Sequence, residues 1–165
     1  MSDLTYFASD YPFEEVKNPH VKLCSVNEAL RQGAELSGWF LNGDIDRDKP
    51  NVILRIDDEK NFDEITIDPF DKSSTAGDWR TSFKYIAVLQ WKYSEERAEQ
   101  FLAYIRKHLE VSDKMEIWHV WSGDMYEMHE PKRRYIHVDD LTTGDFEKIV
   151  RTDAYENPEC LTITR

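Results

Sequence analysis

The stretch "EIWHVWSGDMYEMHE" (residues 116–130) brings two histidines and four acids into fifteen positions, beside two tryptophans. Imidazole and carboxylate groups are the usual ligands of zinc and related ions. If "KMEIWHVW" pairs with "RYIHV" across the intervening loop, His119 falls nearly opposite His137. A loop carboxylate, Asp124 or Glu127, could then complete a centre. A small metal-dependent hydrolase with a His119/His137 centre is therefore one hypothesis.

A structural interpretation of the same stretch is favoured. His119 and Trp121 share one face of a strand, where neighbouring polar groups can satisfy the imidazole. A one-residue slip in register would separate the two histidines, and no compact spacing such as H-x-x-x-H supports a metal site. We predict aromatic packing here, with no catalytic residues, no metal and no cofactor.

A second metal motif fails on its own spacing. Asp44, Asp46 and Asp48 have the 1-3-5 spacing of an EF-hand calcium loop. Lys49 stands where that loop needs glycine, and Arg55 stands where it needs a bidentate acid. The pattern therefore predicts a solvated acidic turn.

The cysteines predict no disulfide framework. Cys24 and Cys160 are far apart in the sequence, and the amino-terminal residues lack the basic and apolar regions of an export signal. We expect a cytosolic protein with buried, unreactive thiols. The alternative for Cys24, which precedes a predicted helix, is a reactive thiol.

The charge balance disfavours several classes of partner. The chain of 165 residues has 33 acidic and 21 basic side chains, giving a net charge of −12. Such a charge opposes binding to nucleic acid and to anionic membranes. About half of the excess lies between Asp44 and Asp78. This stretch is either a solvated face or a surface that steers a basic partner.

The order of elements predicts an α+β fold with a mixed or antiparallel sheet packed by two or three helices in a compact single layer-pair domain. Residues 1–165 are taken as one domain, with possible subdomains at 1–75 and 83–165. Ser25 and Glu28 have capping-box spacing, and Gly33 suits the end of that helix. "SEERAEQFLAYIRKHLE" has the apolar stripe of an amphipathic helix that begins after Ser94. "LSGWFLNGD" is interpreted as a strand.

The segment "NVILRIDDEKNFDEITID" alternates like a β-hairpin with acids at its tip. These acids are predicted to attract a partner, and Trp79 in the following loop is predicted to be an exposed anchor. The predicted partner-binding residues are Asp57, Asp58, Glu59, Asp63, Glu64 and Trp79.

Common nucleotide-binding, hydrolase and zinc-protease motifs are absent from the sequence. The leading hypothesis is a non-enzymatic protein-binding module that captures a basic protein through an acidic, aromatic-studded face. In size, charge and aromatic content the chain is similar to the small acidic immunity and antitoxin-type proteins of bacteria, although no motif carries this similarity. A homo-oligomeric structural subunit is the third possibility, because five tryptophans exceed what a core of this size needs.

Overall fold

A computed structural model describes residues 3–71, 79–121 and 130–165. The chain divides into two compact units, which we name the inserted unit (Asn18–Asp63) and the sheet unit (Met1–Lys17 with Glu64–Arg165). These boundaries differ from the predicted subdomain limits at 75 and 83. Whether the units constitute a single domain stays a prediction.

The described residues form eight strands and four α-helices. The strands are β1 (Asp3–Ser9), β2 (Lys22–Cys24), β3 (Ile53–Arg55), β4 (Thr66–Asp71), β5 (Tyr85–Gln90), β6 (Lys114–Trp121), β7 (Lys132–His137) and β8 (Glu159–Thr164). The α-helices are α1 (Val26–Arg31), α2 (Gly38–Asn42), α3 (Glu95–Leu109) and α4 (Thr143–Arg151), and a 3₁₀ helix spans Glu59–Asp63. The predicted α+β class is correct.

Six strands of the sheet unit form one mixed sheet in the order β4-β5-β1-β6-β8-β7. All neighbouring strands are antiparallel except β7 and β8. The first edge strand, β4, carries Pro69, which an edge position tolerates because its missing N–H is not needed for a second ladder. The other edge strand, β7, is rich in basic side chains, which discourage unwanted strand pairing.

Alternation along the strands divides the sheet into two faces. On the helix face, side chains such as Phe7, Ile117 and Leu161 form a core with Phe101 of α3 and Phe146 of α4. Helix α3 begins as predicted, because the Ser94 hydroxyl accepts a hydrogen bond from the backbone N–H of Arg97 at 3.2 Å.

On the opposite face of the sheet, a second buried cluster covers the central strands. Its members are Tyr6, Ala8, Phe83, Ile86, Trp118, Val120 and Cys160. Phe83 precedes β5, so part of this face is covered by the chain that leads into that strand rather than by a helix.

The inserted unit has its own small core, built around Cys24, Val26, Ala29 and Ile53. Cys24 is buried there, in agreement with the predicted buried thiol. Strands β2 and β3 form an antiparallel two-stranded ribbon beside α1. The predicted strand at "LSGWFLNGD" is wrong, because residues 38–42 of this segment form the short helix α2.

Helix α1 has the predicted ends. The Ser25 backbone N–H donates to the Glu28 carboxylate at 2.7 Å, and the Glu28 N–H donates to the Ser25 hydroxyl at 3.2 Å. The hydrogen bond with the Ser25 backbone lowers the pKa of Glu28. At the other end, Gly33 has a φ of 80°, and Ala34 N–H donates to the Ala29 carbonyl, which defines a Schellman motif.

The predicted acidic hairpin is wrong, and the pairing of β6 with β7 on which the His119/His137 hypothesis depended does not form. Strand β3 pairs with β2, whereas β4 pairs with β5, so the acidic hairpin does not form and its tip is the 3₁₀ helix. Strand β6 lies between β1 and β8, and β8 separates it from β7. Alternation specifies which side chains share a face, but it does not specify which strands are neighbours.

Disulfide trapping distinguishes the observed order of strands, in which β7 pairs with β8, from a hairpin of β6 and β7. His137 and Thr164 are direct partners of the β7–β8 ladder, at a spacing of about 4.8 Å. We expect His137→Cys/Thr164→Cys to cross-link on mild oxidation, since a disulfide requires Cα atoms within about 7 Å. The matched control is Trp121→Cys/Tyr135→Cys, a pair that a β6–β7 hairpin would place together. Cross-linking of the control pair alone, measured by mass spectrometry, would overturn the order of strands.

Candidate functional site

His119 is a buried side chain whose ring nitrogens are both occupied. Nε2 lies 3.1 Å from the carbonyl oxygen of Thr152, and Nδ1 lies 2.9 Å from the hydroxyl of Thr5. A carbonyl can only accept, so Nε2 donates and Nδ1 accepts the Thr5 hydroxyl proton. Both nitrogens of the imidazole are therefore engaged with other parts of the fold.

His137 lies far from His119. His119 is level with Glu159 at the start of β8, whereas His137 is level with Thr164 at its end. Five residues separate these positions, which is roughly 16 Å along the strand. The two imidazoles do not form a common centre. The candidate ligands Asp124 and Glu127 lie outside the described residues.

Potential metal ligands do not cluster elsewhere in the part of the chain that the structure describes. No group of three or more His, Cys, Asp or Glu side chains within residues 3–71, 79–121 and 130–165 is arranged to hold a metal ion. In the acidic turn, the Asp46 carboxylate accepts from the Asp48 backbone N–H at 3.0 Å, and the Asp48 carboxylate accepts from Asn27 at 2.8 Å. These contacts organise the turn itself.

A buried carboxylate lies on the face of the sheet opposite the helices. Glu116 Oε2 accepts hydrogen bonds from the Thr81 hydroxyl at 2.7 Å and from the Trp118 indole at 2.9 Å. The Arg133 guanidinium lies 3.5 Å from Oε1 and 4.9 Å from the centre of the Trp118 ring. Burial raises the pKa of the neighbouring Cys160 thiol to about 12, so this thiol is not a nucleophile at neutral pH. The cluster is a satisfied polar network.

Trp79 is half-buried, so its predicted exposure is wrong. Its ring contacts Tyr6 edge-on at a centroid distance of 4.8 Å and Phe70 at 5.1 Å. Tyr6 belongs to the second buried cluster of the sheet, and Phe70 packs against that cluster. These contacts cover part of the Trp79 indole. A role for Trp79 in partner binding stays a prediction.

The predicted acidic set is divided between the two units. Asp57, Asp58 and Glu59 follow β3 in the inserted unit and are exposed. Asp57 accepts from the Lys22 ammonium at 2.6 Å, and this hydrogen bond lowers its pKa. Half-buried Glu64 belongs to the sheet unit, where its carboxylate forms an ion pair with Arg97 at 2.9 Å.

Asp63, the remaining predicted acid, ends the 3₁₀ helix and is half-buried. Only the first three acids therefore form an exposed run.

The inserted unit also exposes large apolar side chains that the sequence did not single out. Leu23 and Leu54 are direct partners across the β2–β3 ribbon, 55% and 52% exposed. Trp39 is 68% exposed and Phe62 is 65% exposed in the same unit. This unit is less than a third of the chain, yet it holds five of the nine large hydrophobic side chains that are exposed among the described residues. We name the Leu23–Leu54 pair the ribbon face.

A groove of about 180 Å³ lies on the sheet unit, where the segment after β1 meets the end of α3. Its wall includes Tyr11, Tyr104 and Val111, and its inner side is formed by His108. The His108 ring stacks on Phe13 at a centroid distance of 4.4 Å. His108 Nε2 lies 2.9 Å from the Ser9 hydroxyl, which lies 3.0 Å from that of Ser112.

Ser9 is fully buried, so the Ser9–His108 pair has no access to a substrate and does not act as a nucleophile with its base. Burial lowers the pKa of His108 to about 4, with a smaller opposing effect from Glu14. The imidazole is therefore uncharged at neutral pH.

Comparisons with known proteins supply no relative. No protein-family model, no curated protein and no solved structure matches the chain. Among the described residues, the helices are too short or too polar to cross a bilayer.

Because His108 is buried and uncharged, we expect acid to lower the free energy of unfolding of the protein. The unfolded chain takes up this proton near pH 6.5, whereas the folded chain resists it until about pH 4. Stability is therefore lost as the pH falls through this window, by up to about 3 kcal/mol. The comparison protein is His108→Gln, which keeps a hydrogen-bond donor near Ser9 but does not titrate. Urea unfolding measured across this pH range should show the loss of stability from His108 in the wild type and not in the variant. Parallel pH profiles for the two proteins would contradict the assignment.

Proposed function

We propose that the protein is a non-enzymatic binding module that captures a basic protein partner through the inserted unit. The ribbon face carries this proposal, because two leucines lie side by side on the outer face of a ribbon whose inner face is already buried. Contiguous exposed apolar side chains, especially beside polar ones, are typical of protein interaction sites.

The acids next to the ribbon face favour a basic partner. Asp57, Asp58 and Glu59 follow β3 after Ile56, in a chain whose net charge is −12, and of the three Asp57 forms an ion pair with Lys22. Exposed charges of one sign raise the rate at which an oppositely charged protein arrives, while apolar contacts hold it once water is excluded. Trp39 supplies a further exposed aromatic side chain in the same unit.

This mode of capture is the one that acidic immunity and antitoxin-type proteins use against basic toxins. The proposal therefore extends to that class of cytosolic inhibitor. Support comes from charge and from the exposed side chains of the inserted unit. The ribbon face takes the place of Trp79 as the proposed anchor, because the indole of Trp79 is half-buried.

Substitution of the ribbon face should abolish capture of the partner. Partners recovered from native extract with the wild type would be quantified by mass spectrometry against Leu23→Ser/Leu54→Ser. The control is Tyr135→Ser, which removes a side chain of similar exposure from the sheet unit. We expect at least a tenfold loss for the ribbon variant, since anchors cost ~2 kcal/mol or more. Equal recovery by all three proteins would refute the proposal.

Sedimentation at several concentrations separates heterologous capture from self-association. A wild type that dimerises, with a Leu23→Ser/Leu54→Ser variant that stays monomeric, would assign the ribbon face to a homo-oligomer and overturn the proposal. A wild type that remains monomeric while it binds the recovered partner would support it.

Charge reversal should slow association with the recovered partner. We expect Asp58→Lys/Glu59→Lys to lower the association rate constant by about tenfold at low salt, with the difference vanishing at high salt. Asp57 is left unchanged because it pairs with Lys22. The matched control is Glu96→Lys/Glu99→Lys, which changes the net charge equally on exposed positions of α3. Equal slowing by both variants would show that only net charge matters and would reject a specific acidic site.

A further inference from the structure

The groove on the sheet unit, defined above by the segment after β1 and the end of α3, is a second place where acids occur together with exposed apolar surface. Its volume of about 180 Å³ is below the ~300 Å³ at which small-molecule pockets begin. A space of this size suits one side chain of a partner rather than a whole cofactor or metabolite.

The lining of the groove carries net negative charge. Glu14 and Glu110 are part of it, and so is Lys107. The Lys107 ammonium is already paired with the Glu14 carboxylate at 2.7 Å. His108 adds no positive charge at neutral pH. The carboxylate of Glu110 therefore leaves the lining of the groove with one negative charge in excess, which favours a cationic occupant.

The walls of the groove favour a planar cation. Tyr11 is 45% exposed, and Tyr104 is held in place by donating its hydroxyl proton to the Glu14 carbonyl at 2.9 Å. Aromatic walls attract cations through their ring faces, and the flat, weakly hydrated guanidinium stacks on them better than the strongly hydrated ammonium. A carboxylate beside such a ring can accept two parallel hydrogen bonds from the same guanidinium.

The groove is supported by fixed polar contacts. The backbone N–H of Tyr11 donates to the Ser9 hydroxyl at 3.2 Å, and that hydroxyl also contacts His108. The segment carrying Tyr11 and Pro12 is thereby attached to α3 before any ligand arrives. Such preorganisation lowers the entropic cost of inserting a side chain.

We infer that this groove binds the guanidinium group of an arginine side chain presented by the basic protein partner. The inference rests on the proposed function only for the basic character of that partner.

Blocked tripeptides test the groove without the partner. The probes are acetyl-Gly-Arg-Gly-amide, the same peptide with neutral citrulline, and the same peptide with lysine. Each would be titrated into the full chain at low salt while NMR follows the His108 ring and the amides of residues 104–111. We expect a dissociation constant of about 1 to 10 mM for the arginine peptide and binding at least about fivefold weaker for the other two.

Matched variants assign the binding to the groove. Glu110→Gln and Tyr11→Ala should each weaken arginine-peptide binding by about threefold or more. Glu99→Gln, on the exposed surface of α3, and Tyr155→Ala, which is 43% exposed elsewhere on the sheet unit, should leave it unchanged. Equal weakening by targets and controls would overturn the inference.

The peptides also separate this inference from the proposed function. Absence of shifts with the arginine peptide at about 10 mM, or equal binding of citrulline or lysine, would reject the groove as a guanidinium site. Loss of partner capture in Leu23→Ser/Leu54→Ser would still stand in that case. Conversely, shifts that are selective for arginine and weaker in both groove variants would establish the site. That result would hold even if the ribbon variant captured the partner normally.

Discussion

Strand β6 is buried on both of its faces, and this double burial determines what its polar side chains can do. Every residue from Met115 to Val120 is buried. The helices α3 and α4 cover one face, and the chain before β5 covers part of the other. A buried polar group must find partners within the protein. Glu116 and His119 therefore form their hydrogen bonds with other parts of the fold.

Local features of the fold could be predicted from the sequence because their physics is local. The capping box at Ser25, the left-handed Gly33 and the cap at Ser94 depend on residues a few positions apart. The apolar stripe of α3 likewise reports which side of that helix is buried. Alternation along β6 likewise separates Trp118 from Met115, which belong to clusters on opposite faces of the sheet.

Long-range pairing could not be predicted from the same signals. Alternation is identical for a strand in a hairpin and for a strand whose partner is distant, so β3 and β4 resembled two halves of one hairpin although they belong to different units. The ribbon face was missed for a related reason. Leu23 and Leu54 lie in short apolar runs that suggest burial, but a two-stranded ribbon of three-residue strands has only one face covered by its unit.

Negative charge alone would make a poor basis for recognition. A net charge of −12 attracts any cationic surface, and salt weakens that attraction without changing its preferences. Selectivity requires contacts that lose water, because an imperfect partner then leaves apolar or charged groups unsatisfied. The inserted unit has an exposed leucine pair on strands that precede Asp57–Glu59 in the chain, and the groove of the sheet unit is lined by both Tyr11 and Glu110. In the proposed mode of capture, the charge of each unit speeds the approach of a basic protein, and the adjoining apolar surface discriminates among the proteins that arrive.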